Sequence, residues 1–386
     1  MRYYIIAGEA SGDLHGANLI KGLKASDPQA DFRFWGGDLM LEAAGSGLVR
    51  HYKDNAIMGF VEVLMKLRQV GRNLKFCKED LVKYTPDVVI LIDYPGFNFR
   101  IAEFAKKKGI KVFYYIAPKV WAWKEKRVEK LKKYVDRLFI IFPFEIDYFK
   151  SKGIDAIYEG NPLLDSIAQK KETLGTRDEF LSPFGFNDDR KVVALLAGSR
   201  RMEIDFLFPK MLKLVHLNPD KHFLLAAAPG IDPEIYNEII RKKYMFAPQN
   251  LKIVYGETYR VLAHSDAAII SSGTASLEAA LFRIPQAVCY GASRISFAIA
   301  RHLVKIRYIS LANLILDRQI FQEILQDDCT ADNINRELGQ LLNNANYRNK
   351  MLADYDEVIY RLSNNGNPEG ASLRIARRMI QELSVQ

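Results

Sequence analysis

Two loops of the sequence combine small residues with groups suited to binding an anion. The first, GSRR at 198–201, directly follows the apolar run VVALLA, and Glu203 begins the next helical stretch. Arginine presents a planar fork of N–H donors that matches phosphate oxygens. The second loop, SSGTAS at 271–276, opens the helical stretch LEAALF, so its N–H groups and hydroxyls lie at the positive end of a helix dipole. The predicted nucleotide-binding residues are Gly198, Ser199, Arg200, Ser272, Gly273, Thr274 and Ser276.

Glu278, which follows the second loop, is predicted to bind the ribose of the nucleotide. We expect it on the first turn of the helix, where its carboxylate can accept hydrogen bonds from both ribose hydroxyls. A strand, the SSGTAS loop and a helix carrying a glutamate form the most specific nucleotide-sugar signal in the chain. Helix N-capping by itself explains only one of the loop's hydroxyls.

Asp93 ends DVVILID, the most apolar run of the first half. A carboxylate at the end of a buried strand projects away from the core, and Tyr94 and Phe97 would partly shield it. Since desolvation raises the proton affinity of a carboxylate, Asp93 is the candidate general base. The alternative is that Asp93 caps a helix beginning near Phe99.

A further loop, GEASGD at 8–13, lies between a short apolar run and a helical stretch. Its small residues allow a ligand to approach the backbone. Glu9, Ser11 and Gly12 are the candidate residues of an acceptor or cleft loop. The loop is not GxGxxG, so the dinucleotide fingerprint is absent. The alternative is a structural turn in which Asp13 caps the following helix.

Short apolar runs alternate with helical stretches along most of the chain, as in parallel α/β sheets. The runs predicted as strands are 2–7, 87–93, 112–117 and 137–143 in the first half, and 192–199, 222–229, 251–256, 267–273 and 286–291 in the second. A length of 386 residues suits two domains better than one core. We therefore predict two Rossmann-like, doubly wound domains facing a cleft. The predicted ranges are 1–168 for the acceptor and membrane-facing domain, 190–340 for the UDP-sugar domain, and 341–386 for helices packing back over both, with a linker near 169–190.

Composition limits the cellular setting and the partners. The apolar run at the N-terminus is too short for a signal peptide or a membrane span, and three widely spaced cysteines suit a reducing compartment, so we expect a cytoplasmic protein. An excess of nine basic residues over acidic ones favours anionic partners. No nucleic-acid-binding pattern accompanies that excess, and no His or carboxylate cluster indicates a metal.

The stretch 56–76 combines apolar residues at largely helical spacing with a basic rim. Such a face suits an anionic lipid surface and acyl chains, which predicts peripheral association with a membrane. The alternative is an ordinary helix facing the core. The membrane candidates are Met58, Phe60, Leu64, Lys66, Arg68 and Arg72. Trp121 and Trp123, which precede the basic run 124–133, suit either a membrane interface or a sugar site.

Eight segments, in order along most of the chain, resemble the lipid A disaccharide synthase family. They are AGEASGD (7–13), LIDYPGFN (91–98), YYIAPKVWAWK (114–124), FPFE (142–145), EGNPLLD (159–165), GSRRMEI (198–204), SSGTASLEAAL (271–281) and SLANLILDR (310–318).

The resemblance implies an inverting glycosyltransferase of the two-Rossmann B type. Its substrates would be UDP-2,3-diacylglucosamine and 2,3-diacylglucosamine 1-phosphate, used at the inner face of the inner membrane without a cofactor. By resemblance, Asp93 matches the proposed base, Arg200 the phosphate contact, and Glu278 the ribose contact. Glu9 and Ser11 match the glycine-loop residues, and Asn313 matches the asparagine of the SLxN segment.

The sequence departs from the family pattern at two positions, and several questions stay open. Ala312 stands where proline is expected, and Arg201 stands where a small residue is common, which leaves open the choice between Arg200 and Arg201. Acyl-chain length and oligomeric state also stay open, with a homodimer among the options. The alternative functions are a UDP-N-acetylglucosamine epimerase, a transferase with a soluble acceptor, a non-catalytic nucleotide-binding module and a dinucleotide oxidoreductase.

Overall fold

The computed structural model describes residues 1–55, 63–122, 124–271, 273–291 and 307–384, with the side chains of residues 55 and 63–67 outside the description. The chain divides into two compact units. Unit 1 comprises Met1–Ser166 and Arg361–Gln386, and unit 2 comprises Ile167–Tyr360. Each unit is built on a parallel sheet, which confirms the predicted α/β fold class.

The sheet of unit 1 has seven described strands in the order β3-β2-β1-β4-β5-β6-β7. The central strands are almost wholly buried and apolar, because helices cover both faces of a doubly wound sheet. The order changes direction between β1 and β4, the position at which open α/β sheets bind ligands. The strands are β1 (Arg2–Ala7), β2 (Asp31–Gly36), β3 (Leu48–His51), β4 (Val88–Ile92), β5 (Lys111–Tyr115), β6 (Arg137–Ile140) and β7 (Ala156–Tyr158).

The helices of unit 1 follow the strands in alternation. They are α1 (Ala10–Ser26), α2 (Asp38–Ala44), α3 (Val63–Tyr84), α4 (Pro95–Lys107), α5 (Val128–Tyr134) and α6 (Phe144–Ser151). Sequence patterns predicted β1, β4, β5 and β6, whereas β2, β3 and β7 were missed. β3 and β7 are short and only partly buried, so their sequences carry little apolar signal.

The role of Asp13 differs from the predicted helix cap. Asp13 does not cap the helix that follows its loop, because α1 begins at Ala10 with Glu9 as N-cap. The Asp13 side chain is instead buried and accepts hydrogen bonds from the backbone N–H groups of Gly37 at 2.6 Å, Leu39 at 3.2 Å and Met40 at 3.1 Å. It therefore caps α2, which is distant in sequence and adjacent in space.

Helix α3 contains the described part of the predicted membrane stretch. Its second half belongs to the core, with Leu74 and Leu81 buried. Asp80 ties it to the sheet, accepting hydrogen bonds from Tyr4 Oη at 2.7 Å and Arg33 Nε at 2.8 Å. The predicted stretch ends at residue 76, so the core-facing alternative is observed at its end, where Leu74 is buried.

The rest of the membrane stretch divides into two parts. The side chains of Arg68 and Arg72, on the first half of α3, are exposed. Met58 and Phe60 lie outside the described residues, as do the side chains of Leu64 and Lys66.

Unit 2 repeats the sheet plan with six described strands in the order β10-β9-β8-β11-β12-β13. The switch in direction falls between β8 and β11. The strands are β8 (Val192–Leu196), β9 (His222–Ala227), β10 (Leu251–Tyr255), β11 (Ala267–Ser271), β12 (Gln286–Tyr290) and β13 (Glu323–Leu325). All but the short β13 were predicted from apolar runs.

The described helices from residue 163 to residue 362 cover this sheet, the first of them beginning at the end of unit 1. They are α7 (Leu163–Lys171), α8 (Arg177–Leu181), α9 (Arg201–Leu217), α10 (Pro233–Lys243), α11 (Thr258–Ala263), α12 (Thr274–Leu281), α13 (Leu311–Leu316), α14 (Ala331–Asn343) and α15 (Ala345–Leu362). In these described ranges, every helix is too short or too polar to cross a bilayer.

Two connecting regions differ in detail from the predicted boundaries. The segment 169–190 belongs to unit 2, and Thr176 begins α8 with a capping box that includes Glu179. The last helix, α16 (Ala371–Ser384), belongs to unit 1. Asp165 caps it by accepting hydrogen bonds from the N–H groups of Ala371 at 3.0 Å and Ser372 at 2.7 Å. The C-terminal helices are thus divided between the units.

Candidate active site

Asp93 follows β4 directly, at the switch point of the sheet in unit 1. Its φ is 41° and that of Tyr94 is 44°, so two consecutive residues other than glycine adopt the left-handed region. Three hydrogen bonds hold this backbone: Asp93 N–H donates to Tyr115 O at 3.2 Å, and Asp93 O accepts from Tyr114 Oη at 2.6 Å and Asn98 Nδ2 at 2.8 Å. Strain that the surroundings enforce in this way is typical of functional sites.

The surroundings of the Asp93 carboxyl raise its proton affinity. The residue as a whole is exposed, yet enough protein surrounds the carboxyl that desolvation raises its pKa, and the negative charge of Glu9 raises it further. The positive charges of Lys119 and Arg127 act in the opposite direction and do not cancel the rise. Helix α4 begins at Pro95 with Tyr94 as N-cap, so capping near Phe99 is not the role of Asp93.

The 8–13 loop lies beside Asp93. Gly8 packs under Tyr94, because a Cβ atom at Gly8 would lie 2.4 Å from Cγ of that ring. Gly12 is buried on the first turn of α1, and Glu9 and Ser11 are exposed. The structure thus brings Glu9 and Asp93 to one edge of the sheet. The prediction did not identify Gly8, whose missing side chain permits the contact with Tyr94.

Glu145 is a residue that the motif analysis did not assign. It lies at the start of α6 and is only 1% exposed. Its carboxylate accepts hydrogen bonds from Trp121 Nε1 at 3.0 Å and from the N–H groups of Phe142 at 3.1 Å and Ile141 at 3.3 Å. Burial raises the pKa of Glu145 to about 7, against the opposing effect of these donors. The sequence signal that could have identified Glu145 is the segment FPFE, in which an acid begins a helix shortly after a buried strand.

In unit 2, Glu203 organises the GSRR loop. Its Oε2 accepts a hydrogen bond from Ser199 N–H at 2.9 Å, and its Oε1 accepts one from Arg200 Nη1 at 2.9 Å. Gly198 has a φ of 118°, which favours glycine, and a Cβ there would lie 2.5 Å from Cβ of Glu203. The close turn therefore depends on that glycine.

The two arginines of this loop differ in their surroundings. The side chain of Arg200 is 77% exposed and forms an ion pair with Glu203, on the first turn of α9. Arg201 donates through Nε to both carboxylate oxygens of Asp205, at 2.8 and 2.9 Å, and its Nη2 lies 3.7 Å from Glu238. Arg200 is therefore the more accessible guanidinium at the switch point.

The second loop of unit 2 lies across the same switch point, before α12. Gly273 is the N-cap, with a φ of 119°, and both Gly273 and Thr274 are exposed. Ser276 is buried, and its hydroxyl donates to Gly273 O at 2.9 Å, so this hydroxyl is committed within the loop. Ser272 lies outside the described residues.

Glu278 is the fifth residue of α12, so the prediction that it lies on the first turn is wrong by about one residue. Its Oε1 accepts a hydrogen bond from Tyr259 Oη at 2.9 Å. Burial raises the pKa of Glu278, and the Tyr259 hydroxyl opposes that rise. Tyr259 is thus a neighbour that the sequence analysis did not identify, on the separate helix α11.

Asn313 is placed differently from the predicted nucleotide contact. It is fully buried: Nδ2 donates to Glu323 Oε1 at 3.0 Å and Phe321 O at 3.3 Å, and Oδ1 accepts from Ile320 N–H at 2.9 Å. These bonds fix the turn between α13 and β13. Ala312, where proline was expected, is buried within α13.

The described side chains include no group of three or more His, Cys, Asp or Glu residues arranged to hold a metal ion. Glu145, Glu203 and Glu278 are instead bound to tryptophan, arginine, tyrosine or backbone donors.

Two parallel sheets of this strand order, with polar loops at both switch points, define the GT-B-like fold class. Solved structures agree. UDP-GlcNAc 2-epimerase from Neisseria meningitidis, bound to UDP-GlcNAc, superposes with a TM-score of 0.71 at 15% identity, covering 99% of this chain and 100% of that one. The glycotransferase of kitacinnamycin superposes with a TM-score of 0.64 at 15% identity, covering 99% of each chain. At such low identity these likenesses show the fold alone.

Sequence comparison is more specific. The family model described as lipid-A-disaccharide synthetase matches residues 3–374. Lipid-A-disaccharide synthase from Geobacter sulfurreducens is 35% identical over 100% of this chain and 98% of its own length. That from Syntrophus aciditrophicus is 37% identical over 96% of this chain and 95% of its own. The chain belongs to the lipid-A-disaccharide synthase family and is a glycosyltransferase of lipid A biosynthesis, as the eight motifs predicted.

The raised pKa of Asp93 predicts how its removal changes stability. Ionisation of Asp93 costs more in the folded chain than in the unfolded chain, where the pKa is about 3.9. This penalty is absent at pH values below the pKa in the unfolded chain, and it is complete at pH values above the pKa in the folded chain. Asp93→Asn should therefore stabilise the protein more at pH 7 than at pH 3.5. The measurement is urea denaturation at both pH values.

Asp147→Asn, at an exposed aspartate on α6, provides the baseline for this comparison. Asparagine also tolerates the left-handed backbone better than aspartate, but that gain does not depend on pH. A stabilisation by Asp93→Asn that is equal at both pH values would contradict the electrostatic account.

Proposed function

We propose that the chain transfers 2,3-diacylglucosamine from its UDP derivative to the 6-hydroxyl of 2,3-diacylglucosamine 1-phosphate. The products are the β-1,6-linked disaccharide 1-phosphate and UDP. Family membership gives the reaction class, and the substrates are those of the family. The observation that carries the mechanism is Asp93, a carboxylate of raised proton affinity held at a switch point by a strained, hydrogen-bonded backbone.

In the proposed reaction, Asp93 accepts the proton of the acceptor's 6-hydroxyl. The oxygen then forms a bond to the anomeric carbon of the donor as the bond from that carbon to the UDP oxygen breaks. Attack from the face opposite the leaving group inverts the configuration. A carboxylate whose proton affinity is raised by burial and by Glu9 is a stronger base than an ordinary surface aspartate.

The loops of unit 2 are the proposed donor site. Exposed backbone N–H groups at Gly273 and Thr274, at the positive end of α12, and the exposed guanidinium of Arg200 would receive the diphosphate. Gly198 and Ser199 would bring the backbone close to it. Such fixed donors stabilise the charge that grows on departing UDP without reorganising, so the proposal requires no metal or other cofactor.

Other residues of unit 2 take supporting roles in this proposal. Glu278, oriented by Tyr259, would accept hydrogen bonds from the ribose hydroxyls. Ser276 and Asn313 would position the loops from within, since their polar atoms are already committed to protein partners.

The direct test is incubation of the purified protein with both lipid sugars. We expect release of UDP and a disaccharide 1-phosphate detectable by mass spectrometry. Asp93→Asn keeps the shape of the side chain but is not a base, so kcat should fall by about 100-fold or more. UDP affinity, measured by calorimetry, should change little. Turnover near that of the wild type would remove Asp93 from the mechanism.

Different exposure of the two arginines predicts different effects of their removal. Arg200→Ala should raise the KM for the UDP-sugar by about tenfold or more, because a charge-assisted contact to phosphate is lost. Arg201→Ala is the matched control, with the same charge removed one residue away, and should have a smaller effect. The reverse order in steady-state kinetics would assign the phosphate contact to Arg201.

We also propose peripheral association with the cytoplasmic face of the inner membrane. The support is the exposure of Arg68 and Arg72 on the first half of α3, whose second half is anchored in the core. Because the second half of α3 is anchored, the exposed Arg68 and Arg72 on its first half are held at a fixed place on the surface of unit 1. Basic side chains near anionic lipid are attracted to it, and salt screens that attraction.

Charge reversal of Arg68 and Arg72 to Glu should weaken co-sedimentation with vesicles containing phosphatidylglycerol by at least about tenfold. Raised ionic strength should release the wild-type protein in the same assay. Lys83→Glu, at the opposite end of α3, is the control for a general loss of positive charge. Binding that withstands both the double reversal and salt would leave no electrostatic role for this surface.

A further inference from the structure

Two cations beside Asp93 have no role in the proposed mechanism. Lys119 and Arg127 lie on the segment that follows β5, at the same edge of the sheet as Asp93, and the positive charges of both act on its carboxyl. Lys119 is exposed and Arg127 is partly exposed. Within the described part of the chain, neither side chain has a hydrogen-bond or ion-pair partner. Two unpaired cations that both act on one carboxyl can also attract an incoming anion.

The protein fixes the segment that carries them. The Trp121 indole donates to buried Glu145 at 3.0 Å, and Tyr148 Oη donates to Val120 O at 3.3 Å. Val120 and Val128 are buried, so the segment is anchored near each cation. The acids nearby are Glu9 and Asp93; Glu145 is held by its own donors, and Glu125 and Glu129 pair with lysines. A fixed pair of cations binds an anion at a smaller entropic cost than mobile surface lysines.

We propose that Lys119 and Arg127 form a subsite for the phosphate of the acceptor sugar, beside the base that activates its hydroxyl. This inference rests on the proposed function. The acceptor bears its phosphate on C1 and its reacting hydroxyl on C6, two substituents of one pyranose unit. When the hydroxyl contacts Asp93, the phosphate lies within the width of one sugar of that base.

The subsite would also link acceptor binding to the strength of the base. In the free protein, Lys119 and Arg127 favour the ionised form of Asp93 and so lower its pKa. A bound phosphate neutralises both cations and removes this effect. Asp93 therefore gains further proton affinity when an acceptor with a phosphate is in place, which strengthens the base for that substrate.

The test uses short-chain, water-soluble acceptors with and without the 1-phosphate, so that no membrane takes part. Wild-type kcat/KM should be about 100-fold higher for the phosphorylated acceptor, about tenfold for each cation. In the double variant Lys119→Gln and Arg127→Gln this preference should fall to about threefold or less, and the loss should be far smaller with the dephosphorylated acceptor. The single variant Lys119→Arg, which keeps the positive charge and leaves Arg127 unchanged, should retain most of the preference for the phosphorylated acceptor.

Lys126→Gln, at an exposed lysine on the same turn as Arg127, is the matched control and should keep the full preference. Equal losses of activity on both acceptors would overturn the proposal, because the two cations would then act on Asp93 or on the fold. A melting curve distinguishes these two explanations. A raised KM for the donor alone would assign the cations to the UDP diphosphate. If the wild type forms no disaccharide from either acceptor, the proposed function itself is wrong.

Discussion

The backbone of Asp93 adopts a left-handed conformation, uncommon for residues other than glycine, and the chemistry proposed for unit 1 depends on that conformation. Asn98 and Tyr114 bind its carbonyl, and Tyr115 accepts its N–H. These partners come from α4 and from β5, so the packed sheet and its first covering helix together enforce the turn. The turn ends the strand abruptly and directs the carboxylate away from the core. Without the neighbouring strand, the same residues would relax toward extended backbone.

The loop edges of the two sheets carry different arrangements of charge. In unit 1, Asp93 and Glu9 are close enough for each charge to affect the other, and burial adds to the proton affinity of Asp93. In unit 2, Glu203 is committed to the GSRR loop, which leaves the Arg200 guanidinium largely exposed. A base belongs where negative charge is crowded, and a diphosphate belongs where N–H donors and a cation are accessible. The proposed division of roles between the units rests on this difference.

Similarity of fold and similarity of sequence support different conclusions about this protein. The epimerases share the strand order and the two-unit plan at about 15% identity, which is too low to carry activity from one chain to another. The family relatives share about 35% identity over nearly the whole length. These alignments span the loops at both switch points. Function resides in the residues of such loops rather than in sheets that many proteins share.

The sequence by itself determined the local features. Buried parallel strands appear as continuous apolar runs, so β1, β4, β5, β6 and most strands of unit 2 could be predicted, and the motifs indicated the family. The tertiary structure decided which groups meet. It placed Asp13 on the N-terminus of α2, committed Asn313 and Ser276 to internal bonds, distinguished Arg200 from Arg201, and buried Glu145 against Trp121. Periodicity reports the environment of a residue's own segment, whereas a side chain's partners come from segments far away in sequence, and only the packed fold specifies them.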